Sequence, residues 1–277
     1  MTILSETGPL EGSFFVARGP IRGTVLLNAG TGIPRRFYAA FAAHLASRGF
    51  ATLTYDYRGI GGSAPESLRD LEVTKQDWAR HDFSAAFRWL EERIPEVPRF
   101  VLGHSVGGQL LALMDRPEAI DGVVTVATSF GYWRYMPKPY GWFVGFLWYF
   151  GIPFFTRLLG YVPARRLGLG EDLPAGVALE WARWGKRVSY FTEELADEAG
   201  FETLQAPWKA ITIEDDDVAT AKNSDPLLAL YRGARIERTH LRPRDFGYSS
   251  IGHLRFFSSR RDKLWPQVSD WLVAQTG

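Results

Sequence analysis

The pentapeptide Gly103-His104-Ser105-Val106-Gly107 constrains the fold of this chain more than any other segment. An apolar run, 100–102, precedes it and a helix-like run, 108–114, follows it, so the sequence predicts a strand, a sharp turn and a helix. Such a turn holds its serine in a strained backbone conformation that only small neighbours tolerate, and glycines at 103, 107 and 108 meet that demand. The pattern therefore predicts that the Ser105 hydroxyl stands at the turn as a candidate nucleophile.

The composition limits the class of protein. A chain of 277 residues suits one large α/β domain with an insertion. A net charge of +1 without a block of Lys and Arg predicts no nucleic-acid partner. The absence of cysteine excludes disulfides and thiolate metal sites, and no motif implies a metal or an organic cofactor. The first residues lack the basic start and apolar core of a signal peptide, so a cytoplasmic location is expected.

Apolar runs alternate with segments of helical periodicity along most of the chain. This alternation predicts an α/β fold whose mostly parallel sheet is covered by helices on both faces. The predicted strands are 24–27, 51–55, 100–102, 122–127, 208–213 and 234–239, and the predicted helices are 35–48, 74–93, 108–114 and 262–274.

The interval 130–200 interrupts the alternation and holds 18 of the 40 aromatic residues. We predict that it is a helical cap inserted into a core made of 1–129 and 201–277. Four of its tryptophans are predicted to bind substrate: Trp133, Trp142, Trp148 and Trp181. The stretch 139–156 carries no charge, but glycines and Pro153 interrupt it and its length is short for a membrane span. A cap that rests on a membrane surface stays open as an alternative.

Two motifs together resemble the α/β-hydrolase superfamily. They are the glycine-flanked serine turn, 103–108, and the sequence Tyr55-Asp56-Tyr57-Arg58-Gly59-Ile60-Gly61-Gly62-Ser63 after a predicted strand. Within the superfamily the chain is similar to bacterial predicted hydrolases near the serine aminopeptidase (S33-like) and monoglyceride-lipase-like group. Its segments 131–137 and 166–174 resemble the cap of that group. The resemblance implies a structural role for Asp56 and Arg58. The family's usual His-Gly before the oxyanion position is replaced here by Asn28-Ala29.

A serine nucleophile needs a base and an acid that orients the base, in the chain order serine, acid, histidine. Two of the five histidines follow Ser105 at a distance, His240 and His253. His253 is favoured because it lies in a loop before the last helix, whereas His240 ends a predicted strand. The acid is expected after the strand 208–213, within Glu214-Asp215-Asp216-Asp217. Asp216 is favoured, with Asp215 and then Asp217 as alternatives.

An oxyanion hole needs two backbone N–H groups. Val106 follows the nucleophile and is predicted to supply one of them. The loop Asn28-Ala29-Gly30-Thr31-Gly32 is predicted to supply the other, from Gly30 or, as the alternative, from Thr31. The loop lacks the spacing of phosphate-binding and dinucleotide-binding loops.

These features predict a serine hydrolase that cleaves a carboxylic ester through an acyl-enzyme, with an apolar acyl substrate under an aromatic lid. Thioesterase, peptidase and acyltransferase reactions use the same residues and stay open. A ligand-binding protein without catalysis is the alternative from a different class. The resemblance disfavours dehalogenase and epoxide-hydrolase chemistry, because those relatives have aspartate in place of Ser105. The sequence does not indicate an oligomeric state.

Overall fold

A computed structural model describes residues 1–195 and 200–277, and its centre is an eight-stranded sheet. The strand order is β1-β2-β4-β3-β5-β6-β9-β10. The strands are β1 (Thr2–Ser5), β2 (Gly8–Phe15), β3 (Gly23–Asn28), β4 (Phe50–Tyr55), β5 (Arg99–His104), β6 (Gly122–Val126), β9 (Trp208–Ile213) and β10 (Ile236–Leu241). A separate antiparallel pair consists of β7 (Tyr161–Val162) and β8 (Leu173–Pro174).

The six strands from β3 to β10 in this sheet run parallel, and the N-terminal hairpin β1-β2 adds antiparallel at the edge of β4. Strands β3 and β4 are buried along their whole length, as expected for a sheet covered on both faces. The predicted α/β-hydrolase fold is therefore confirmed. The hairpin was not predicted, because its residues Ser5 to Gly12 alternate weakly between apolar and polar.

Helices cover both faces of the sheet and fill the interval between β6 and β9. They are α1 (Ala39–Ser47), α2 (Lys75–Asp77), α3 (Ser84–Arg93), α4 (Val106–Gln109), α5 (Tyr140–Phe146), α6 (Ile152–Leu159), α7 (Ala175–Gly185), α8 (Thr192–Leu195), α9 (Ala221–Leu228) and α10 (Pro266–Ala274). A π-helical turn, Trp78–Phe83, joins α2 to α3, and another, Leu147–Gly151, joins α5 to α6.

Three predicted helices are shorter than expected. The predicted helix 35–48 begins with a 3₁₀ turn, Arg35–Tyr38, before α1. The α-helix after the serine turn ends at Gln109, and a 3₁₀ turn, Leu111–Leu113, replaces the rest of the predicted helix 108–114. The two glycines that permit the turn also lower helix propensity at its start. Near the C-terminus, Pro266 lacks an N–H and begins α10, while a 3₁₀ segment, Ser259–Leu264, includes the first three residues of the predicted helix 262–274.

The predicted cap, 130–200, includes α5 to α8 and the β7-β8 pair, except that residues 196–199 lie outside the described residues. Helix α7 contacts the core through its first turn. A β-carbon on Gly176 would lie 2.5 Å from the carbonyl oxygen of Val73, so glycine permits this close approach. The exact cap boundaries stay a prediction.

Candidate active site

Ser105 sits at the end of β5 with φ +52° and ψ −115°, a conformation that non-glycine residues rarely adopt. The atoms around the neighbouring glycines leave no room for side chains at those positions. A β-carbon on Gly103 would lie 2.5 Å from the Gly108 nitrogen, and one on Gly107 would lie 2.3 Å from the Asn28 carbonyl oxygen. The Ser105 N–H donates to the carbonyl of Val126 on the neighbouring strand at 3.1 Å. The chain therefore forms the strained, glycine-flanked turn that the pentapeptide predicts.

The structure brings together the three residues predicted to form a catalytic triad. The Ser105 hydroxyl lies 3.0 Å from His253 Nε2, and His253 Nδ1 lies 2.8 Å from Asp216 Oδ2. Burial raises the pKa of the Asp216 carboxyl, but His253 and the backbone N–H groups of Ala219 and Val218 outweigh this and leave the pKa below its usual value. An ionised carboxylate only accepts hydrogen bonds, so Nδ1 carries the histidine proton and Nε2 is free to accept from the serine.

The acid turn after β9 gives each of its aspartates a different environment. Asp216 is 4% exposed and faces His253. Asp215 instead accepts hydrogen bonds from the Ser250 hydroxyl and from the N–H groups of Ile251 and Gly252, at 2.7 to 3.0 Å. It thus fixes the loop that carries His253. Asp217 is exposed to solvent.

His240 lies away from this cluster. Its Nδ1 is 3.0 Å from the Thr212 hydroxyl on the neighbouring strand, at an exposed position. Of the two histidines that the sequence left open, only His253 lies within hydrogen-bond distance of Ser105.

The prediction that Gly30 supplies an oxyanion donor is wrong. The only hydrogen on its backbone nitrogen is donated to the Tyr38 hydroxyl, at 2.9 Å and in the protein interior. The next residue, Thr31, lines the same cavity as Ser105, and its N–H has no hydrogen-bond acceptor within residues 1–195 and 200–277. The Val106 N–H is likewise without an acceptor there. Thr31 and Val106 are therefore the two candidate donors.

Asn28, where the resembling family has histidine, fixes the start of this loop. It is buried, its side-chain oxygen accepts from the Tyr55 hydroxyl at 2.8 Å, and its amide donates to the carbonyl of Gly107 at 3.4 Å. The departure from the family pattern thus joins β3 and β4 to the serine turn.

A chain of hydrogen bonds connects the loop after β3, the serine turn and the loop that carries His253. Tyr38, which accepts from Gly30, lies 2.7 Å from His104 Nδ1, and His104 Nε2 lies 2.9 Å from the carbonyl oxygen of His253. A carbonyl only accepts, so Nε2 of His104 donates and Nδ1 accepts from Tyr38. Burial, followed by the nearby His253, lowers the pKa of His104 to about 3, which keeps its ring neutral. The sequence analysis missed this role, although His104 directly precedes Ser105.

Asp56 and Arg58, to which the resemblance assigned a structural role, each form a partly buried ion pair. Arg35 pairs with Asp56, and Arg58 Nε donates to Asp82 at 2.6 Å. Asp56 also accepts from the N–H of Gly62 at 2.9 Å, so these charges hold the loop after β4.

A cavity of about 360 Å³ opens beside Ser105 and is lined mostly by apolar side chains. Of the four predicted tryptophans, Trp148 and Trp181 line it, whereas Trp133 and Trp142 do not. Those two lie at a separate surface groove, and Trp142 is 59% exposed with Lys138 Nζ 5.0 Å from its ring centre. The prediction for them is therefore wrong. Lining residues that the sequence analysis missed include Ile33, Met136, Tyr140, Phe143, Val144, Leu147, Ile152, Phe155, Leu173, Val218 and Leu254.

Within the described ranges, 1–195 and 200–277, no group of three or more His, Asp or Glu side chains is arranged to hold a metal ion.

Comparison with known proteins gives a family and a fold. The family model described as serine aminopeptidase, S33, matches residues 19–160. The monoglyceride lipase of Saccharomyces cerevisiae is 32% identical over 93 residues, and this match covers 32% of the present chain and only 28% of the yeast protein.

Solved structures match over nearly the whole chain. A soluble variant of the Saccharomyces cerevisiae monoglyceride lipase, in complex with a substrate analogue, has a TM-score of 0.68 at 17% identity, covering 100% of this chain and 95% of that one. A thermostable carboxyl esterase from Bacillus coagulans, in complex with glycerol, has a TM-score of 0.66 at 14% identity, with 100% and 98% covered. The monoacylglycerol lipase of Paleococcus ferrophilus has a TM-score of 0.62 at 17% identity, with 96% and 99% covered. At these identities the structures establish the shared fold.

Proposed function

This chain belongs to the serine aminopeptidase, S33, family of α/β hydrolases, and we propose that it is a serine hydrolase that cleaves a carboxylic ester. The observation that carries the proposal is the continuous set of contacts from Ser105 through His253 to Asp216, at 3.0 and 2.8 Å. A serine hydroxyl becomes a useful nucleophile when a base takes its proton, and this geometry provides the base and the acid that orients it.

In the proposed reaction, Ser105 Oγ attacks the ester carbonyl while its proton passes to His253 Nε2. Asp216 stabilises the imidazolium that forms. The N–H groups of Val106 and Thr31 stabilise the negative charge on the tetrahedral oxygen. His253 then gives its proton to the leaving alcohol, and a water molecule hydrolyses the acyl-enzyme with the same histidine acting as base.

The cavity supports an apolar acyl group as the part of the substrate held beside Ser105. Its walls include Trp148 and Trp181 together with aliphatic side chains, and its volume of about 360 Å³ suits a small ligand. The yeast protein that matches part of this chain is a monoglyceride lipase, and other relatives of the same fold are esterases. An ester therefore ranks above a thioester or amide, although the same triad serves all three. The cytoplasmic location stays a prediction.

Covalent labelling of the wild-type chain tests the proposal. A fluorophosphonate probe reacts with an activated serine, so we expect one label per chain, located at Ser105 by peptide mass spectrometry. A folded chain that remains unlabelled and does not hydrolyse p-nitrophenyl butyrate would favour the alternative of a ligand-binding protein.

The acid is tested by comparing neighbouring aspartates. We expect Asp216→Asn to lower kcat by about 10⁴-fold, because the amide no longer fixes the histidine tautomer. Asp217→Asn is the matched control and should stay within about twofold, since Asp217 is exposed. A dominant loss at Asp215→Asn instead would contradict the assignment of Asp216, because Asp215 accepts from Ser250, Ile251 and Gly252, whereas Asp216 contacts the His253 ring.

We also propose that the cap rests on an anionic membrane surface. The helix Tyr140–Leu159 is long and apolar enough to span a membrane, the one such helix in the described ranges, and 28% of its apolar 18-residue window is buried in the protein. Side chains at every fourth position form what we name the outer face, and each is 59 to 65% exposed: Trp142, Phe146, Phe150, Phe154 and Leu158. The opposite side of the same helix lines the cavity.

The distribution of charged residues in the cap segment supports an anionic membrane as the partner. Between Asp121 and Glu171 the chain has five basic residues and no acidic residue. Lys138 and Arg157 lie near the two ends of the helix. Basic residues near an anionic bilayer contribute about 1 kcal/mol each, and aromatic side chains insert at the interface. A helix that lies on the surface would keep its inner side against the cavity, which a spanning helix would not.

Flotation with vesicles containing phosphatidylserine checks the membrane proposal. We expect the wild type to float with the vesicles, less so at high salt, and the double variant Phe146→Ser/Phe150→Ser to bind at least tenfold more weakly. That variant should hydrolyse a soluble ester within about twofold of the wild type, because neither side chain lines the cavity. Leu4→Ser/Val16→Ser, at exposed positions on and after the N-terminal hairpin, is the matched control. Equal flotation of the two double variants would disprove the outer face as the contact.

A further inference from the structure

Lys75 is a fully buried lysine beside the active site that takes no part in the proposed chemistry. It is 0% exposed at the start of α2. Its Nζ donates to the Thr31 hydroxyl at 3.0 Å and lies 4.1 Å from the centre of the Trp181 ring. No carboxylate oxygen lies within 4.0 Å of Nζ in the described part of the chain. Burial therefore lowers the pKa of Lys75 well below its usual value, although Glu180 opposes this.

Burying a lysine without a close counter-ion costs free energy. The contacts of the buried amine therefore indicate which part of the protein it supports. Both Nζ contacts are with residues that line the cavity beside Ser105, namely Thr31 in the loop after β3 and Trp181 in α7. The backbone at Lys75 is also tied to α7, because its N–H donates to Glu180 Oε2 at 2.7 Å. Gln76 adds two hydrogen bonds to the same carboxylate, from its N–H at 3.2 Å and from its side-chain amide at 2.8 Å. Lys75 therefore lies where the core, the cap and the loop 28–32 meet. We name this loop, which carries the candidate oxyanion donor Thr31, the oxyanion loop.

The oxyanion loop is held at three consecutive residues. The N–H of Gly30 donates to Tyr38, and the carbonyl of Gly32 accepts from the N–H of Glu171 in the cap at 2.8 Å. Between them, Thr31 is held through its hydroxyl by Lys75. The Thr31 N–H is the candidate oxyanion donor, so the contact from Lys75 acts on the residue whose backbone direction matters most.

We propose that Lys75 is a positioning residue, which holds Thr31 so that its N–H points at the developing oxyanion and links this donor to the Trp181 wall of the acyl cavity. The inference rests on the proposed function. An oxyanion donor contributes only when it is aimed at the transition-state oxygen, and a misplacement of about 1 Å can cost about 10²-fold in rate. Loss of the contact should therefore lower kcat and affect KM less.

Substitution of Lys75 by methionine separates positioning from stability. Methionine keeps a long apolar chain and removes the buried amine, so Lys75→Met should unfold at the same temperature as the wild type or a higher one. We expect its kcat for p-nitrophenyl butyrate to fall about ten- to a hundredfold while KM changes less than threefold. A lysine that served only the fold would give the opposite pattern, a lower melting temperature with kcat preserved.

Thr31 provides a second, independent arm. Thr31→Val removes the hydroxyl at similar size and should match the loss of Lys75→Met, whereas Thr31→Ser keeps the hydroxyl and should recover most of the lost kcat. The double variant Lys75→Met/Thr31→Val should be no slower than the worse single variant, because both remove one contact. Lys222→Met, on the exposed side of α9, is the control for loss of a lysine.

The outcomes separate the two proposals. If the wild type hydrolyses the ester and is labelled at Ser105, but Lys75→Met and Thr31→Val keep kcat within twofold, the positioning role is overturned and the proposed function stands. Additive losses in the double variant would also overturn it. If the folded wild type is neither active nor labelled, the proposed function fails and the positioning role fails with it.

Discussion

Replacing Ser105 with alanine is expected to abolish labelling by a fluorophosphonate and to lower kcat for p-nitrophenyl butyrate by about 10⁶-fold. In the proposed reaction Ser105 Oγ forms the acyl bond, so alanine removes the nucleophilic atom and also the hydroxyl that contacts His253 Nε2. The remaining rate would come from the oxyanion donors and from binding alone. Initial rates and gel fluorescence of the labelled chain measure both effects.

The matched control is Ser47→Ala, at an exposed position at the end of α1. It should be labelled and should turn over the ester like the wild type. Ligand binding to the cavity should survive in Ser105→Ala, because the apolar walls do not involve the hydroxyl. Persistent labelling of Ser105→Ala would show that another residue is the nucleophile and would refute the proposed reaction.

Removal of the His253 side chain should lower kcat nearly as much as removal of the Ser105 hydroxyl. We expect His253→Ala to lower kcat by about 10⁵- to 10⁶-fold, because members of a triad act as a unit and their effects do not add. The double variant with Ser105→Ala should therefore be no slower than either single variant. Steady-state rates of the three variants, with circular dichroism to verify folding, check this.

His240→Ala is the control for this prediction, since His240 is the other histidine that follows Ser105 at a distance in the sequence. Its ring contacts Thr212 on the sheet surface, so its loss should change kcat less than about threefold. A large loss at His240 with activity retained at His253 would reverse the assignment of the base.

The serine turn was predictable because its sequence pattern is local: glycines at 103, 107 and 108 surround Ser105 between a predicted strand and a predicted helix. The groups that exclude side chains at these glycines are partly distant in sequence, since Gly107 packs against Asn28 and Gly108 packs against Thr128. The contacts among Ser105, His253 and Asp216 were predictable because chain order left two histidines and one acidic turn. The choice of Asp216 over Asp215 depended on register, which the strand end at Ile213 supplied.

The candidate oxyanion donor could not be located by the same reasoning. The sequence marks the loop after β3, but which N–H is free depends on Tyr38, whose hydroxyl takes the hydrogen of Gly30. Nothing in the loop itself shows that contact. The position of Lys75 was equally hidden, because its burial arises only when α7 of the cap packs against the start of α2.

The prediction that Trp133 and Trp142 bind substrate failed for a different reason. Composition located the aromatic segment, yet its main helix is apolar on every side, so periodicity could not separate the residues that face the cavity from those that face outward. Trp148 lies on the inner side and Trp142 on the outer face, six positions apart in the same helix.

The helix from Tyr140 to Leu159 thus has two apolar sides with separate neighbours. Changes at Phe143 or Leu147 alter the shape of the cavity, whereas changes at Phe146 or Phe150 alter only what meets the protein from outside. If the outer face binds a membrane as proposed, substrate selectivity and surface binding can therefore be changed separately, within about two turns of one helix.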